Sequence, residues 1–381
     1  MNVNTFPIVG IGASAGGIEA FHTFFDHMPT DSGMAFVMIL HLPADHKSLL
    51  TDILRHWTAM PVVDAVDGTA ILSNHVYVPP PHSLVTVSDC KLKVRMIHDN
   101  DERLFRPIDG FFDSLGTAMR ERAAGIVLSG TGTDGALGLK AIKERGGLTI
   151  VQGSDGTGPE YDGMPRGAVA TGAVDVVAPV EEIPQHLLRL HNATVELPDS
   201  EGNDVDSARL AICALLRTNI GHDFSEYRSQ TFMRRVARRM GVTNSLTLDA
   251  YINTLRSDPK ESTLLFRDLL IRVTSFFRDR ETFDALATTV IPLLFRGKAA
   301  DGIVRIWIPG CATGEEAYSL GILMREHMDS MQSPPRVQIF ATDIDDLGIS
   351  TARLGRYPST LIEGLSGERL RRFFTLSQGS Y

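Results

Sequence analysis

The sequence predicts an α/β protein: a doubly wound parallel-sheet domain comes first, and a small all-helical domain and the beginning of a second α/β domain follow. The first prediction rests on continuous apolar runs at residues 7–10 and 34–40, which are typical of strands buried on both faces. Helical patterns alternate with such runs up to about residue 190. Residues 208–290 are mostly helical in pattern, and a new apolar run at 304–308 opens the last domain.

Further strands of the first domain are predicted at residues 76–78, 124–129, 148–151 and 173–177. Each is short and apolar, as the strands of a parallel sheet are. The chain has 381 residues, which is enough for two or three domains, and its hydrophobic content of 43% supports packed cores.

Composition excludes several classes of protein. The net charge of −9 gives no reason to expect nucleic-acid binding, and no apolar run approaches the ~20 residues that a membrane span needs. The N-terminus lacks the basic region of a signal peptide. The three cysteines are widely spaced, and the histidines form no metal-binding pattern. We therefore expect a cytoplasmic protein with no membrane insertion, no disulfide framework and no metal site.

A serine lies in a glycine-rich turn directly after the first predicted strand. Gly12, Ser14 and Gly16 form the pattern G-x-S-x-G, which presents a nucleophile at the carboxyl edge of a parallel sheet. The small neighbours allow a sharp strand-to-helix turn and keep the hydroxyl accessible. The alternative interpretation is a loosely spaced dinucleotide loop that begins at Gly10.

The ends of two other strands favour the nucleophile. A nucleotide site needs an acid after the second strand, whereas His41 follows it here. A hydroxyl needs such a base to become nucleophilic. Asp134, in the glycine-rich loop after the strand at 124–129, supplies a carboxylate that can orient the imidazole. The order Ser14, His41, Asp134 differs from that of α/β-hydrolases and predicts a serine hydrolase on another scaffold.

Each of these three residues also has a purely structural interpretation. Ser14 suits a tight turn, and His41 suits the end of a strand. Asp134 suits the N-cap of the helix that is predicted to begin at Gly135. Capping and catalysis are compatible at Asp134, so both interpretations of this residue remain open.

The first half of the chain resembles the catalytic domain of the bacterial chemotaxis methylesterase (CheB type). The matching blocks are residues 10–17, 41–43, 130–138 and 164–166, and the resemblance covers residues 7 to about 190. That family hydrolyses γ-glutamyl methyl esters on receptor signalling helices and can deamidate certain receptor glutamines. The resemblance implies that Ser14 is the nucleophile, His41 the base and then the acid, and Asp134 the orienting carboxylate. Backbone N–H groups near Ala15 and Thr131 would hold the oxyanion.

Residues 192–207 contain five acidic residues and no Lys or Arg, which predicts a solvated linker. Residues 228–239 contain five arginines and no acid, and they form a broad face of a predicted helix. Two interpretations of this face remain open. The arginines either pair with acids elsewhere in the chain or form a docking surface for an acidic helix.

The last part of the chain carries the pattern of a nucleoside site. A glycine loop at residues 310–314 follows the strand at 304–308, and the next strand ends at Asp343, where a carboxylate can bind both ribose hydroxyls. Glu315 and Glu316 follow the loop in place of a phosphate-binding Lys. These acids favour a nucleoside without phosphates that carries an amino group, as S-adenosylmethionine does. They also suit a helix N-terminus, where the macrodipole favours acids.

This half resembles the chemotaxis receptor glutamate methyltransferase (CheR type), whose cofactor domain is Rossmann-like. The matching strings are residues 223–239, 273–279, 307–319 and 340–345, and the resemblance runs from about 208 to the end. It implies a pocket for S-adenosylmethionine with six binding residues: Thr274, Arg278, Gly310, Glu315, Glu316 and Asp343. Of these, one or both of Glu315 and Glu316 would bind the amino group of the cofactor, and Asp343 the ribose.

Two features depart from that family. Arg272 occupies the position where the family usually has Asn, which affects one cofactor contact. The family's domain also continues beyond the point that matches Tyr381, with a segment that completes the sheet. We therefore expect an incomplete methyltransferase half with exposed apolar faces and an open sheet edge. Stand-alone methylesterases carry a receiver domain upstream, and we expect its control to be absent here.

The predicted domains are a methylesterase domain at 1–191, an acidic linker at 192–207, a helical CheR-type domain at 208–265 and a partial methyltransferase domain at 266–381. The resemblances imply a serine methylesterase that needs no cofactor, removes methyl esters from glutamyl residues of chemoreceptors and releases methanol. Its partners would be receptor cytoplasmic helices and other signalling proteins. The alternatives are a catalytically weak scaffold that binds receptors through its arginine-rich helical domain, and an unrelated small-ester hydrolase.

Overall fold

The computed structural model describes the positions of residues 6–40, 50–97, 106–153, 159–195, 203–243, 245–270, 274–362, 365–377 and 381. The chain forms two compact units, Met1–Ile271 and Arg272–Tyr381. Among the described residues, none of the helices combines the length and the apolar character that crossing a membrane requires.

A parallel sheet forms the centre of the first unit. Its seven strands are β1 (Ile8–Ala13), β2 (Ala35–Leu40), β3 (Val62–Asp64), β5 (His75–Val78), β8 (Ala123–Val127), β9 (Leu148–Gln152) and β10 (Val176–Ala178). They lie in the order β10-β9-β8-β1-β2-β5-β3, and every pair is parallel. The carboxyl ends of all strands therefore meet at one edge, and the strand order changes direction at β1. This topology confirms the predicted doubly wound α/β fold.

Helices cover both faces of the sheet. They are α1 (Gly17–His27), α2 (Leu50–Trp57), α3 (Pro107–Met119), α4 (Ala136–Glu144), α5 (Gly163–Ala170) and α6 (Ile183–Val195), with short 3₁₀ turns at Arg120–Arg122 and Val180–Glu182. Successive residues of β1 face opposite sides: Val9 packs with α1, α2 and α6, whereas Ile8 packs with α3, α4 and α5. This alternation produces two hydrophobic cores, one on each face.

An antiparallel sheet that the sequence analysis did not predict contains β4 (Thr69–Ala70), β6 (Ser83–Ser88) and β7 (Lys91–Met96), in the order β4-β7-β6. Burial alternates along β6, where Val85 and Val87 are buried and Thr86 and Ser88 are exposed. The connecting turn places Asp89 and Cys90 at φ values of 50° and 59°. Such hairpin turns usually contain glycine. Because this turn has none, the sequence lacked the pattern that predicts a hairpin.

The last strand of the parallel sheet begins later than predicted. The sequence suggests a strand at 173–177, whereas β10 starts at Val176. The reason is Asp175, whose carboxylate accepts the Thr149 N–H at 3.0 Å, a role that a strand carbonyl would otherwise take. The same carboxylate binds Lys143 and Arg238.

Four helices form the helical domain of the first unit: α7 (Asn203–Ile220), α8 (Ser229–Thr243), α9 (Leu248–Ser257) and α10 (Pro259–Leu269). Helices α6 and α7 extend into the predicted linker 192–207 from both sides, because Val205 and Ala208 pack into the core and Arg209 pairs with Asp206. Helix α10 also continues past the predicted boundary at 265, since Leu265, Phe266 and Leu269 belong to the same core.

The arginine-rich helix α8 binds acids within the chain. Arg238 pairs with Asp175 and lies 3.8 Å from Asp268. Arg239 forms a bidentate ion pair with Glu261, at 2.8 and 2.5 Å. For these two arginines, pairing within the chain is therefore the interpretation that the structure supports.

The pair of Arg239 and Glu261 lies inside the helical core and includes a third group. Glu261 is 3% exposed, and it also accepts the Tyr251 hydroxyl at 2.8 Å. Burial and the nearby Glu261 carboxylate raise the pKa of Tyr251. A buried ion pair whose lone pairs are satisfied in this way is tolerated, whereas one lone charge at this place would be costly.

The second unit contains α11 (Arg280–Ala285), a π turn at Leu286–Val290, α12 (Ile291–Phe295), β11 (Ile303–Pro309), α13 (Glu315–Asp329), β12 (Arg336–Thr342), α14 (Asp346–Leu354), α15 (Ser359–Ile362) and α16 (Gly367–Phe373). In its described part, β11 and β12 form a two-stranded parallel sheet. Trp307 and Phe340 lie opposite each other and are 69% and 52% exposed. The exposure of these two aromatic side chains agrees with the exposed apolar face that the sequence analysis expects.

Replacement of Glu261 by Ala should strongly destabilise the helical domain, because it leaves the Arg239 charge and the Tyr251 hydroxyl buried without their acceptor. We expect the free energy of unfolding to fall by about 3 kcal/mol. Urea denaturation followed by circular dichroism measures this change. The exposed pair of Arg217 and Asp223 offers the control, since Arg217→Ala should leave the unfolding curve nearly unchanged. Equal curves for Glu261→Ala and the unaltered chain would contradict the expected cost.

Candidate active site

Ser14 directly follows β1, at the point where the strand order of the sheet changes direction. Its N–H donates to the Ser129 carbonyl at 3.0 Å, and its carbonyl accepts the Gly17 N–H at 2.9 Å, where α1 begins. Among the described residues, none forms a hydrogen bond with the Ser14 hydroxyl. The sharp turn predicted from the sequence therefore places the hydroxyl at the carboxyl edge of the sheet, without a partner in the part of the chain that the structure describes.

Two glycines make room for this turn. Gly16 has a φ of 72°, and a Cβ on it would lie 2.7 Å from Ser129 Oγ. A Cβ on Gly130 would overlap Met164 Sδ and would lie 3.0 Å from Ser14 Cβ. The loop after β8 is thus packed directly against the serine, and larger residues at either position would push the two apart.

Several backbone N–H groups at this edge have no acceptor among the described residues, and those of Ala15 and Thr131 are two of them. The Gly130 N–H, by contrast, donates to the Tyr161 carbonyl at 2.9 Å, and the Ser129 hydroxyl donates to the Ala15 carbonyl at 2.9 Å. Both free donors belong to segments that contact Ser14, which is the arrangement that an oxyanion site requires.

Asp134 is buried, at 5% exposure, and it anchors a helix. Its carboxylate accepts the N–H groups of Ile108 at 3.0 Å, Asp109 at 2.9 Å and Gly135 at 2.9 Å. The first two belong to the N-terminus of α3, so Asp134 holds that helix as well as the start of its own. The capping role considered from the sequence is therefore present, and its main target is α3 rather than α4.

A second carboxylate, that of Asp109, is only 12% exposed and lies beside Asp134; the sequence analysis did not predict it. Asp109 accepts the Gly138 N–H at 2.6 Å, and its other oxygen is 3.4 Å from Arg106 Nε. Burial and the neighbouring Asp134 raise the pKa of Asp109 to about 7. An aspartate in the first turn of a helix is common, so no local signal marked this residue.

His41, the predicted base, lies outside the described residues. The structure describes the strand that precedes it: β2 ends at Leu40, which pairs with Ala13 of β1, the residue before Ser14. The geometry of the predicted Ser14, His41 and Asp134 combination therefore stays a prediction. A cavity of about 270 Å³ adjoins the serine turn, and Gly16 and Ser129 line it together with three glutamates, Glu19, Glu160 and Glu181.

In the second unit, Asp343 joins the two strands at their carboxyl ends. One carboxylate oxygen accepts the Ala312 N–H at 2.7 Å, and the other accepts the Asp345 N–H at 2.8 Å. The loop that it holds has Gly310 at a φ of 73° and Gly314 at 96°. A Cβ on Gly310 would meet nothing within 4 Å, so space is open above the loop.

The other predicted cofactor residues differ in exposure. Glu315 is 1% exposed and accepts the Thr313 hydroxyl at 2.5 Å, whereas Glu316 is exposed. Thr274 is buried and Arg278 is exposed. Arg272 lies outside the described residues.

Two contacts of this loop region were not predicted from the sequence. The Tyr357 hydroxyl donates to the Thr313 carbonyl at 2.7 Å and so helps to hold the glycine loop in place. The Phe277 N–H donates to the Ser319 hydroxyl at 3.0 Å, which ties the segment that carries Thr274 and Arg278 to α13. The predicted cofactor residues thus belong to segments that meet at the start of α13.

Three protein-family models match consecutive parts of the chain. The CheB methylesterase model matches residues 9–187, the model of the CheR methyltransferase all-alpha domain matches 210–270, and that of the CheR methyltransferase SAM binding domain matches 272–381. These matches confirm both resemblances noted in the sequence.

Three similar proteins cover different shares of the chain. An uncharacterized 104.1 kDa protein of Rhodobacter capsulatus, from the hypE 3′ region, is 36% identical over 357 residues, which are 87% of this chain and 37% of that protein. Protein-glutamate methylesterase/protein-glutamine glutaminase 2 of Xanthomonas oryzae pv. oryzae is 36% identical over 189 residues, 49% of this chain and 52% of that protein. A putative enzyme of the same name from Leptospira interrogans is 32% identical over 191 residues, 50% of this chain and 98% of that protein.

The chain belongs to the CheB methylesterase family, and it continues into the two domains of a CheR methyltransferase. It spans 37% of the Rhodobacter capsulatus protein and about half of the Xanthomonas oryzae enzyme.

The raised pKa of Asp109 predicts that the stability of the first unit declines as pH rises. Below about pH 4 the carboxyl is protonated in both the folded and the unfolded chain. Between that pH and about 7 only the folded chain keeps the proton, and above 7 the folded chain carries a buried charge next to Asp134. Asp109→Asn removes this charge. We therefore expect the free energy of unfolding of the variant to be roughly 2 kcal/mol higher than that of the unaltered chain at pH 8, and equal to it at pH 4.

Urea unfolding at the two pH values measures this difference. Asp31→Asn is the control, because Asp31 is exposed and its substitution should leave both values unchanged. A variant at Asp109 that is no more stable than the unaltered chain at pH 8 would show that this carboxyl is not a buried, repelled group.

Proposed function

We propose that this chain is a protein-glutamate methylesterase that hydrolyses γ-glutamyl methyl esters on the cytoplasmic helices of chemoreceptors, and that it also deamidates receptor glutamines. The observation that carries the proposal is the placement of Ser14. Among the described residues its hydroxyl has no hydrogen-bond partner, and the N–H groups of Ala15 and Thr131, which have no acceptor among those residues, belong to the segments around it. Family membership supports the same reaction, since the relatives from Xanthomonas oryzae and Leptospira interrogans carry this activity in their names.

The proposed reaction is acyl transfer through Ser14. The Ser14 oxygen attacks the ester carbonyl carbon while His41 takes its proton, and the carbonyl oxygen becomes an oxyanion that the Ala15 and Thr131 N–H groups stabilise. The C–O bond to the methoxy group then breaks, and methanol leaves with the proton from His41. Water attacks the acyl-Ser14 ester in the second half, again with His41 as base, and releases the glutamate.

In this proposal Asp134 orients His41 in addition to holding α3. The three backbone donors fix the position of the Asp134 carboxylate, and in this proposal the same carboxylate accepts an imidazole N–H of His41. Loss of Asp134 would therefore affect both the position of the loop after β8 and the tautomer of the base.

The acidic cavity beside Ser14 suits a neutral ester better than a carboxylate. Glu19, Glu160 and Glu181 line it, and their negative potential disfavours an anionic group nearby. The substrate side chain, a methyl ester, has no charge, whereas the product glutamate is negative. The same potential would thus promote release of the product.

For the second unit we propose binding of S-adenosylmethionine. The chain's residues fit this group: the glycine loop leaves open space, and Asp343 lies at the end of β12 where a ribose hydroxyl can donate to a carboxylate. The exposed Glu316 and the buried Glu315 supply acids for the amino group. When bound, S-adenosylmethionine supplies a transferable methyl group. The chain's own residues bind and orient the cofactor.

The alternative of a catalytically weak scaffold is not favoured, because the chain belongs to a family of named methylesterases. Nothing in the described residues favours an unrelated small-ester hydrolase.

Replacement of Ser14 by Ala should abolish methanol release, because no hydroxyl remains to form the acyl intermediate. The measurement is methanol release from a methylated receptor fragment, and we expect a loss of at least about 10⁴-fold. Ser88→Ala is the matched control, since Ser88 is an exposed hairpin residue and its loss should leave the rate unchanged. Turnover that persists in the Ser14 variant at the unaltered rate would rule out this mechanism.

Replacement of Asp343 by Asn should weaken binding of S-adenosylmethionine at least tenfold, because the ribose hydroxyls lose a charged acceptor. Isothermal titration calorimetry measures the affinity. Glu281→Gln is the control, because Glu281 is an exposed residue of α11 and the substitution removes one negative charge in the same way. The proposal fails if the unaltered chain shows no saturable binding, or if both variants bind as tightly as it does.

A further inference from the structure

A cleft of about 490 Å³ lies between the methylesterase domain and the helical domain, within the first unit. One wall is helix α8, and the other comes from the C-terminal ends of α3 and α4. Two glutamates and five arginines line it, so positive charge is in excess. We call it the arginine cleft, after Arg120, Arg145, Arg228, Arg235 and Arg238.

For three of these arginines, an ion pair or a helix C-terminus within the chain offsets the positive charge. Arg145 lies at the end of α4 and its guanidinium is 3.0 Å from the Asp113 carboxylate. Arg120 directly follows α3, and helix C-termini favour cations. Arg238 binds the buried Asp175. Arg228 is exposed, where a charge needs no partner.

The charge of Arg235 is not offset in this way. It is 6% exposed, and its Nη1 has no hydrogen-bond partner. Its charged neighbours are Arg238, Asp175 and Asp268, and Lys143 interacts with the same two carboxylates. Three cations therefore share two acids, and Arg238 likewise leaves Nε and Nη1 unpartnered. A buried charge without a partner is costly, so a buried guanidinium at a cleft indicates a missing anion.

The pKa shifts of Arg235 and Lys143 agree with an excess of positive charge in the cleft. Burial, and then the neighbouring Arg238, lower the pKa of Arg235, and burial also lowers the pKa of Lys143. The two carboxylates nearby only partly offset these effects at either group.

We propose that the arginine cleft binds a small phosphate-bearing anion, with Arg235 as its main ligand. The volume of the cleft lies in the range of small-molecule sites. Guanidinium groups bind phosphate through two parallel hydrogen bonds, which suits several arginines around one cleft. Because Arg235 is almost fully buried, a compact oxyanion can reach it, whereas a whole helix, about 10 Å across, cannot. Both domains line the cleft, so the anion would also link the methylesterase domain to the helical domain.

Calorimetry on the 381-residue chain, in chloride buffers of matched ionic strength, tests the proposal with orthophosphate, pyrophosphate and ADP. We expect saturable binding, with pyrophosphate at least tenfold tighter than orthophosphate because more arginines engage it. Pyrophosphate and ADP carry the same two phosphates, so the ratio of their affinities distinguishes a free phosphate compound from a nucleotide. Arg235→Met should weaken pyrophosphate binding at least tenfold, and Arg145→Met several-fold.

The control is Arg256→Met, which removes an exposed arginine of α9 and should not change the affinity. Without phosphate, Arg235→Met should melt at the same temperature as the unaltered chain or higher, because two cations then face two carboxylates. If Arg235→Met does not fold, the pyrophosphate affinities of Arg145→Met and Arg256→Met are compared instead, and only the first should be weakened. The proposal is overturned if no phosphate compound binds saturably, if the cleft variants bind like the control, or if only an oligoglutamate peptide binds.

Discussion

Helix α3 lies so close to strand β1 that two positions of the strand accept only glycine. A Cβ on Gly10 would lie 2.7 Å from the Phe111 ring, and one on Gly12 would overlap Ile108. The same helix begins at the Asp134 carboxylate, which accepts its first N–H groups. Strand, helix and the loop after β8 are therefore one packed unit, and the position of Ser14 at its edge depends on this close contact.

Buried charges have two different arrangements in the first unit. Arg239 and Glu261 satisfy each other within the helical core, with Tyr251 as a third partner. By contrast, Asp109 lies next to a like charge, and so does Arg235. Like charges buried together lower stability, so they are candidates for function, whereas the matched pair is explained by packing alone.

Much of the fold and part of the site could be predicted from local patterns. Apolar runs separated by helical stretches indicated the parallel sheet, and the turn at Ser14 needed only its small neighbours to be recognised. The hairpin β6–β7 was missed because its turn residues, Asp89 and Cys90, are not the usual ones. The role of Asp109 was missed because its neighbour Asp134 is distant in sequence and nothing local distinguishes it.

The sequence alone determined which residues carry reactive groups and that a sheet edge would present them, because glycine spacing and strand periodicity are local properties. Tertiary structure decided which charges are satisfied. Asp134 accepts N–H groups at the start of α3, 25 and 26 residues earlier in the chain, and helix α8 places Arg238 on Asp175, 63 residues away. Such pairings depend on how distant elements pack and bury one another, and no pattern within a short segment encodes that contact.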